Sequence, residues 1–387
     1  MIKTIKVMLC PNNKQKSKLF SMAGAKRFAY NWALDREKEL YEKDKTFSSD
    51  KELRRMFTRF KKESGNLWLN NISNNVTKQA IKDACIAYKN FFAKRASFPR
   101  YKKRKDLHQS FYQDSQKIKF SEMYVKLEKL TSSKKQNRQR INWIKLSEKN
   151  KVSTDASYCN PRITFDGLNW FISVGIKSPD CKDYPKGEGL GIDLGVRDLA
   201  ICSNGLKYSN INKNKKVKKI EMHRRRLQRL VAKKYQKNKK GGSYCKTKNI
   251  IKVEKQLLKT NRRLTNIRQN YIHKTTSEII RREPSFICME NLNIRGMLKN
   301  HKLARSIQNQ CFNEFRRQIE YKSIWNNIRF IVADKWFPSS KLCSECGGIN
   351  KSLTLKDRIY KCSECGTMLD RDFNASINLK RYAERLL

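Results

Sequence analysis

The chain is predicted to be an α+β protein of several domains: an N-terminal antiparallel β-barrel or sheet interrupted by a helical insert, then an α/β domain carrying a small metal-binding insertion. Three observations predict it. Before about residue 185 the apolar period moves from two to near 3.6 and back to two, beyond it strands and helices alternate, and near the end stand two Cys-x2-Cys pairs. With 387 residues there is room for two or three domains of about 100–200 residues each.

Residues Met1 to Cys10 alternate Ile2, Thr4, Lys6 with Lys3, Ile5, Val7, the pattern of a strand, and lack the apolar stretch of an export signal. From 14 to 95, Leu19, Ala23, Phe28, Trp32 and then Val76, Ala80, Ile81, Ala84, Tyr88, Phe91 recur at near-helical intervals. Between 98 and 180 the period returns to two around Tyr124 to Lys129, Ile141 and Trp143, Ile163 to Phe165 and Trp170 to Ile176, with Asp166-Gly167 as a hairpin turn. The β-barrel therefore comprises 1–10 and 98–185, and the helical insert 11–97.

The stretch from Cys181 to Gly189 is rich in punctuating residues and marks the boundary. Beyond it come a strand, turn and strand over Leu190 to Cys202. Between Lys213 and Lys240, 14 of 28 residues are Lys or Arg, including Arg224, Arg225 and Arg226, with Glu221 as the acid. After a Gly-Gly-Ser break, Ile250, Leu257, Leu264 and Tyr271 repeat every seven residues, so 213–283 is expected to form a helical hairpin. Strand Phe286 to Leu292, helix Arg305 to Trp325 and strand Ile328 to Trp336 complete an α/β domain over 186–340 and 368–387.

Lys and Arg number 87 against 35 Asp and Glu, a formal net charge of +52. Self-repulsion on that scale calls for a polyanionic partner, which excludes a protein devoted to a small neutral substrate. At 38% hydrophobic residues the chain is too apolar for a disordered basic tail, and it has no apolar run near the ~18 residues of a membrane helix. Eight of the 12 cysteines (Cys10, Cys85, Cys159, Cys181, Cys202, Cys245, Cys288, Cys311) are scattered singly, which fits a reducing cytoplasm better than an oxidised exterior.

The other four are Cys343, Cys346, Cys362 and Cys365, with 15 residues between the pairs. That spacing matches a zinc ribbon in 341–367, where four thiolates close a structural Zn2+ site. Gly347 and Gly366 follow the second cysteine of each pair and permit the tight turn.

Carboxylates are the other candidates. Asp193, in Gly191-Ile192-Asp193-Leu194-Gly195, is expected on a strand face bared by two glycines, although glycine beside an acid also marks ordinary turns. Glu290 closes the apolar strand Phe286 to Met289 and needs a partner, a metal or a neighbouring cation. Asp370 and Asp372 precede a helix, where either could serve as its N-cap. Acids at strand ends and a helix start in one α/β domain can converge on two divalent cations about 3.5–4 Å apart, the arrangement for phosphodiester hydrolysis. The four histidines, His108, His223, His273 and His301, give no triad order.

These motifs together resemble the TnpB family of transposon-encoded RNA-guided nucleases, relatives of the type V CRISPR effectors and the Fanzor proteins. The resemblance rests on Gly-Ile-Asp-Leu-Gly-Val-Arg-Asp-Leu-Ala (191–200), Ile-Cys-Met-Glu-Asn-Leu (287–292), Pro-Ser-Ser-Lys-Leu-Cys-Ser-Glu-Cys-Gly (338–347), the second cysteine pair, and Leu-Asp-Arg-Asp-Phe-Asn-Ala-Ser-Ile-Asn-Leu (369–379). It implies a RuvC-type, RNase H-like nuclease domain with Asp193, Glu290 and Asp372 as its acids, Asp370 being the reserve for the last. It also implies two Mg2+ ions, with Mn2+ as a substitute, a target-nucleic-acid-binding ribbon, and wedge and recognition parts in the N-terminal barrel and helices. The implied partners are a guide RNA from the transposon end and double-stranded DNA bearing a short adjacent motif, engaged by one copy or two.

Besides Arg224, Arg225 and Arg226 of the basic hairpin, two further sets of nucleic-acid-contact residues are expected. Asn75 and Gln79 are i and i+4 on one helix, and amides pair well with adenine, although exposed polar residues on a helix need no such role. Arg100, Tyr101, Lys102 and Lys103 mix an aromatic with cations in a manner suited to phosphate contact. A nuclease-silent RNA-guided repressor and a strand-transfer transposase are the alternatives. The repressor would be expected to have lost a nuclease acid, and the transposase needs no embedded RNA.

Overall fold

The computed structural model describes residues 2–131, 140–178, 183–354 and 357–387. Among them the chain forms two compact units, Met1–Pro179 and Asp180–Leu387. The boundary expected near 185 from Cys181 to Gly189 falls partly outside the described residues, Cys181 included.

Unit 1 is a seven-stranded antiparallel sheet with three helices. Its strands are β1 (Ile2–Cys10), β2 (Gln109–Tyr112), β3 (Lys119–Phe120), β4 (Tyr124–Lys126), β5 (Trp143–Leu146), β6 (Tyr158–Phe165) and β7 (Trp170–Lys177), in the order β2-β6-β7-β1-β5-β4-β3. Among the described residues the ladder runs from β2 to β3 without pairing those two ends. The β6–β7 hairpin turns at Gly167, whose φ of +91° needs glycine, and Asp166 accepts from the amides of Leu168 and Asn169.

The helical insert is α1 (Asn13–Asp44), α2 (Asp50–Phe60) and α3 (Asn74–Phe92). Asn12 with Gln15 and Ser49 with Glu52 form capping boxes that start α1 and α2. Alanines at 25, 29 and 33 on α1 and at 80 and 84 on α3 are buried, and with so little side chain on these faces the two helices pack closely. Their core is continuous with Val7, Leu9, Ile144, Ile163, Ile172 and Val174 of the sheet.

Unit 2 is built on a mixed sheet of β8 (Leu190–Leu194), β9 (Asp198–Cys202), β10 (Lys207–Ser209), β13 (Phe286–Met289) and β14 (Arg329–Val332), in the order β10-β9-β8-β13-β14. Strands β8, β13 and β14 run parallel, and β9 is antiparallel to β8 and β10. The hairpin of α4 (Lys215–Lys237) and α5 (Lys248–Arg281) is joined through β11 (Lys239–Lys240) and β12 (Ser243–Tyr244). Tyr235 near the end of α4 donates to Glu254 near the start of α5, and Arg268 of α5 reaches Glu221 near the start of α4, so the pair is antiparallel.

After β13 come α6 (Ile294–Met297), α7 (His301–Gln310) and α8 (Phe312–Trp325), and after β15 (Ile359–Lys361) and β16 (Met368–Asp370) comes α9 (Arg371–Glu384). The single helix expected from Arg305 to Trp325 is two, because Cys311 takes the left-handed conformation at φ +55° and ends the first. Leu190, Ile192, Ile287 and Met289 pack with Ile272, Ile279, Phe312 and Phe315 of α5 and α8, while Phe286 and Cys288 pack with Leu379 and Ala383 of α9. Helices therefore cover both faces of the sheet. No helix among the described residues is long and apolar enough to cross a membrane.

Candidate functional site

Strand alternation turns Ile192 toward α5 and α8 and Asp193 toward the α9 face. The parallel register pairs Leu190 with Ile287, Gly191 with Cys288 and Ile192 with Met289. The two acids directly follow the last pair, Asp193 after Ile192 and Glu290 after Met289, and the Glu290 charge is felt at Asp193. Asp193 is buried, at 8% exposure. Burial pushes its carboxyl well above the usual carboxylate range, reinforced by the charges of Glu290 and Asp372. Burial likewise raises Glu290.

Asp372 arrives from the opposite direction. Asp370 is the N-cap of α9, its carboxylate accepting from the amides of Asp372 at 3.0 Å and Phe373 at 3.2 Å, which leaves Asp372 in the first turn with its side chain free of capping. Gly195 at the end of β8 is close enough that an added methyl would lie 3.9 Å from the Asp372 carboxylate. Asn374, buried, donates to the carbonyl of Leu342 at 2.7 Å and accepts from the amide of Ser344 at 3.0 Å, tying α9 to the first cysteine turn.

The glycines flanking Asp193 do not bare its face, contrary to the sequence expectation. A Cβ on Gly191 would stand 2.0 Å from the Ser376 carbonyl oxygen and 2.5 Å from the Lys380 amide nitrogen. Glycine there lets α9 lie directly on β8, which brings Asp372 to the strand end.

Arg371 joins the group. Its guanidinium holds the Asp372 carboxylate at 3.1 and 3.2 Å and donates to the Thr354 carbonyl at 3.4 Å, and its amide donates to Arg358 at 2.8 Å. Its charge partly offsets the repulsion at Asp193.

The four cysteines form one cluster with ligand atoms all within 4.8 Å, the only such group of His, Cys, Asp and Glu among the described residues. Cys343 and Cys365 sulfurs are 3.6 Å apart and those of Cys346 and Cys362 3.5 Å, close to the edge of about 3.8 Å in a ZnS4 tetrahedron with Zn–S near 2.3 Å. The amides of Glu345 and Gly348 point at Cys343 and Cys346 sulfurs at 3.4 and 3.5 Å. Gly347 and Gly366 have φ of +79° and +75°, as the knuckle turns require. The residues fit Zn2+ in charge, number and spacing. The three carboxylates spread more widely than the sulfurs and offer hard oxygen ligands.

The expected contact residues are dispersed. Asn75 spends its amide on Asp114 at 2.8 Å and Glu128 at 3.4 Å, and Gln79 on Asp83 at 2.9 Å. Arg100 and Lys102 to Lys103 lie on a loop where Tyr101 donates to Asp35. On α4, Arg225 and Arg226 are exposed, whereas Arg224 is half-buried with its Nε unpaired.

Three family models match this chain. One described as "Probable transposase" matches residues 173–301, a Cas12f1-like TNB domain matches 312–379, and a helix-turn-helix domain matches 1–46. A Streptomyces pristinaespiralis protein named "Putative RNA-guided DNA endonuclease" is 29% identical over 377 residues, covering 97% of this chain and 88% of its own. A TnpB-like protein of Acanthamoeba polyphaga mimivirus is 27% identical over 201 residues, covering 49% of this chain and 36% of its own. The chain is similar to the TnpB family.

The fold agrees with that likeness. The structure titled as a Cas12f1-sgRNA-target DNA complex superposes at a TM-score of 0.62 with 15% identity over 98% of each chain. A Cas_phi3 endonuclease gives 0.52 with 11% identity over 99% and 92%. In this protein the segment matched as a helix-turn-helix is a strand followed by one 32-residue helix, α1. Sequence reasoning passed over Arg371, although its place between two aspartates in Asp-Arg-Asp was a visible signal. It also passed over Lys26 and Arg27, whose significance depends on a loop some 75 residues away.

Proposed function

We propose that the protein is an RNA-guided DNA endonuclease that cuts double-stranded DNA beside a short adjacent motif, with Asp193, Glu290 and Asp372 as the acids of a RuvC-like site. The observation that supports this is that buried Asp193 on β8 feels the charges of both Glu290, directly after β13, and Asp372, in the first turn of α9. Burial and mutual repulsion make that cluster unfavourable without a counter-cation, and hard oxygen donors suit Mg2+. Divalent ions held there would supply an activated water and charge stabilisation of the departing 3′ oxygen.

The protein's own contribution is placement. Gly191 seats α9 on β8, Asp370 caps the helix so that Asp372 is free, and Arg371 steadies Asp372. The four-cysteine insert, holding Zn2+, would bind target nucleic acid, and the +52 charge suits a structured guide RNA from the transposon end.

The test is to express the protein with its flanking DNA, sequence the RNA that survives a moderate-salt wash, and offer the complex duplex DNA matching that guide with Mg2+. One discrete RNA and Mg2+-dependent cutting are expected. Heterogeneous RNA, or a discrete RNA without cutting, contradicts the guided nuclease.

A further inference from the structure

Unit 1 contains a cavity of about 100 Å3 lined by Lys26 and Arg27 of α1 and by Lys102, Lys103 and His108 of the segment leading into β2. Asp106 is the one carboxylate on its wall, and that carboxylate already accepts from the Lys103 amide at 2.7 Å. The wall is built rather than loose. Asn31 of α1 donates to the Lys102 carbonyl at 3.0 Å and accepts from the Lys102 amide at 2.8 Å, and Gln109 holds the Arg104 carbonyl at 3.0 Å.

The cations here are under-compensated. Lys26 and Lys102 each hold their ammonium 5.1 Å from the Tyr30 ring centroid, so two like charges share one aromatic neighbour. Burial, with repulsion from Lys102 and Arg162, holds Lys26 below its ordinary range, and Asp83 opposes that shift. Asp83 is itself committed, gripped by both Arg162 nitrogens at 3.0 and 3.2 Å and by Gln79 at 2.9 Å. Converging ammonium and guanidinium groups around a small cavity, with Ser110 beside them as a neutral donor, match the shape and charge of one tetrahedral oxyanion.

We propose that this cavity seats a single phosphate of a nucleic-acid backbone, with Lys26, Arg27, Lys102 and Lys103 as its cationic wall. The assignment draws on the nucleic-acid partner of the proposed function but not on the acid cluster of unit 2. It gives Gln79 a different part from base reading: it helps hold the Asp83 carboxylate behind the pocket.

The test compares two neutralised pairs in the full chain, Arg27→Gln with Lys103→Gln and, as control, the exposed Lys43→Gln with Lys62→Gln. Binding to fluorescent 20-nucleotide RNA and DNA strands of one sequence is measured in EDTA from 50 to 300 mM salt, so no outcome depends on cleavage. Relative to the control, the pocket pair should lose about tenfold in affinity and lower the salt slope by about 0.7, the value for one lost single-strand phosphate contact. Loss confined to the RNA arm assigns the phosphate to RNA, loss confined to DNA assigns it to DNA, and loss in both assigns recognition to the phosphate alone. Arg27→Lys with native Lys103 should bind within about twofold of wild type, which separates lost charge from misfolding. Equal behaviour of pocket and control pairs in both arms would overturn the proposal.

Discussion

Asp193 feels the charge of Glu290 because β8 and β13 are parallel and in register, with Ile192 opposite Met289, the residues directly before the two acids. Two carboxylates in that position repel, and burial of Asp193 adds to the cost. Replacing either with its amide should remove repulsion and metal ligation together. Asp193→Asn is expected to raise the thermal midpoint of the metal-free protein by about 2–4 °C, while cleavage falls roughly a hundredfold or more and guided DNA binding is retained. Undiminished cleavage in Asp193→Asn and Glu290→Gln would remove these acids from the site.

Arg371 acts as a built-in counter-charge for the cluster, its guanidinium on Asp372. Divalent cations and Arg371 should compete for that carboxylate. Arg371→Gln should lower the midpoint in EDTA and enlarge the stabilisation produced by millimolar Mg2+, read by scanning calorimetry with and without the ion. An unchanged or smaller Mg2+ response would show that Arg371 does not compete for the carboxylate.

The cysteine site was fully legible in the sequence because its geometry is local: a Cys-x2-Cys turn fixes two sulfurs whatever the rest of the chain does. Asp193 and Glu290 were legible as strand residues, but their adjacency depends on a parallel pairing between segments about 97 residues apart, which no periodicity reveals. Resemblance to the family supplied it. Asn75 and Gln79 do share a helix face as their spacing requires, yet Asp114 and Glu128 meet Asn75 from elsewhere in the fold, and Asp83, one turn further along the same helix, takes the amide of Gln79. The break at Cys311 was hidden because the apolar period continues on either side of a single left-handed residue.

Gly191 illustrates a contact that only the fold exposes. Adding a methyl there meets backbone atoms of Ser376 and Lys380, which cannot rotate away. Gly191→Ala should cost about 1–3 kcal/mol by overpacking, and because the displaced element carries Asp372, cleavage should fall further than the loss of folded protein explains. The comparison is denaturant stability against single-turnover cutting under conditions where the variant remains folded. Proportional losses would indicate a purely structural glycine.

Cys343 is buried within the four-sulfur cluster and directly precedes Ser344, whose amide is held by Asn374 of α9. Loss of the metal should therefore loosen both the insert and the start of α9. Elemental analysis is expected to find one zinc per wild-type chain and none bound stably to Cys343→Ser. Hydrogen exchange in the variant should quicken across 341–374. A zinc-free wild-type protein with protected amides in this segment would contradict the assignment.

Lys322 places an ammonium inside unit 2 against three oxygens, the His273 carbonyl at 3.1 Å, Thr276 Oγ1 at 2.6 Å and Ser277 Oγ at 2.9 Å. Burial is the main cause that lowers its pKa from the ordinary 10.5 to about 8, with repulsion from Arg281 adding to it. The folded state therefore releases this proton at lower pH than the unfolded state does. Between about 8 and 10.5 the unfolded chain binds more protons, and this residue's contribution to stability rises with pH across that window. Below it the cost of burying the charge is borne in full. Lys322→Met removes the titration while retaining most of the side-chain length. The difference in unfolding free energy, wild type minus variant, should accordingly increase from pH 7 to pH 10 in urea titrations, with Tyr and Cys ionisation cancelling between the two proteins. A difference that stays flat, or that falls as pH rises, would show that Lys322 is not held in the depressed state its surroundings impose.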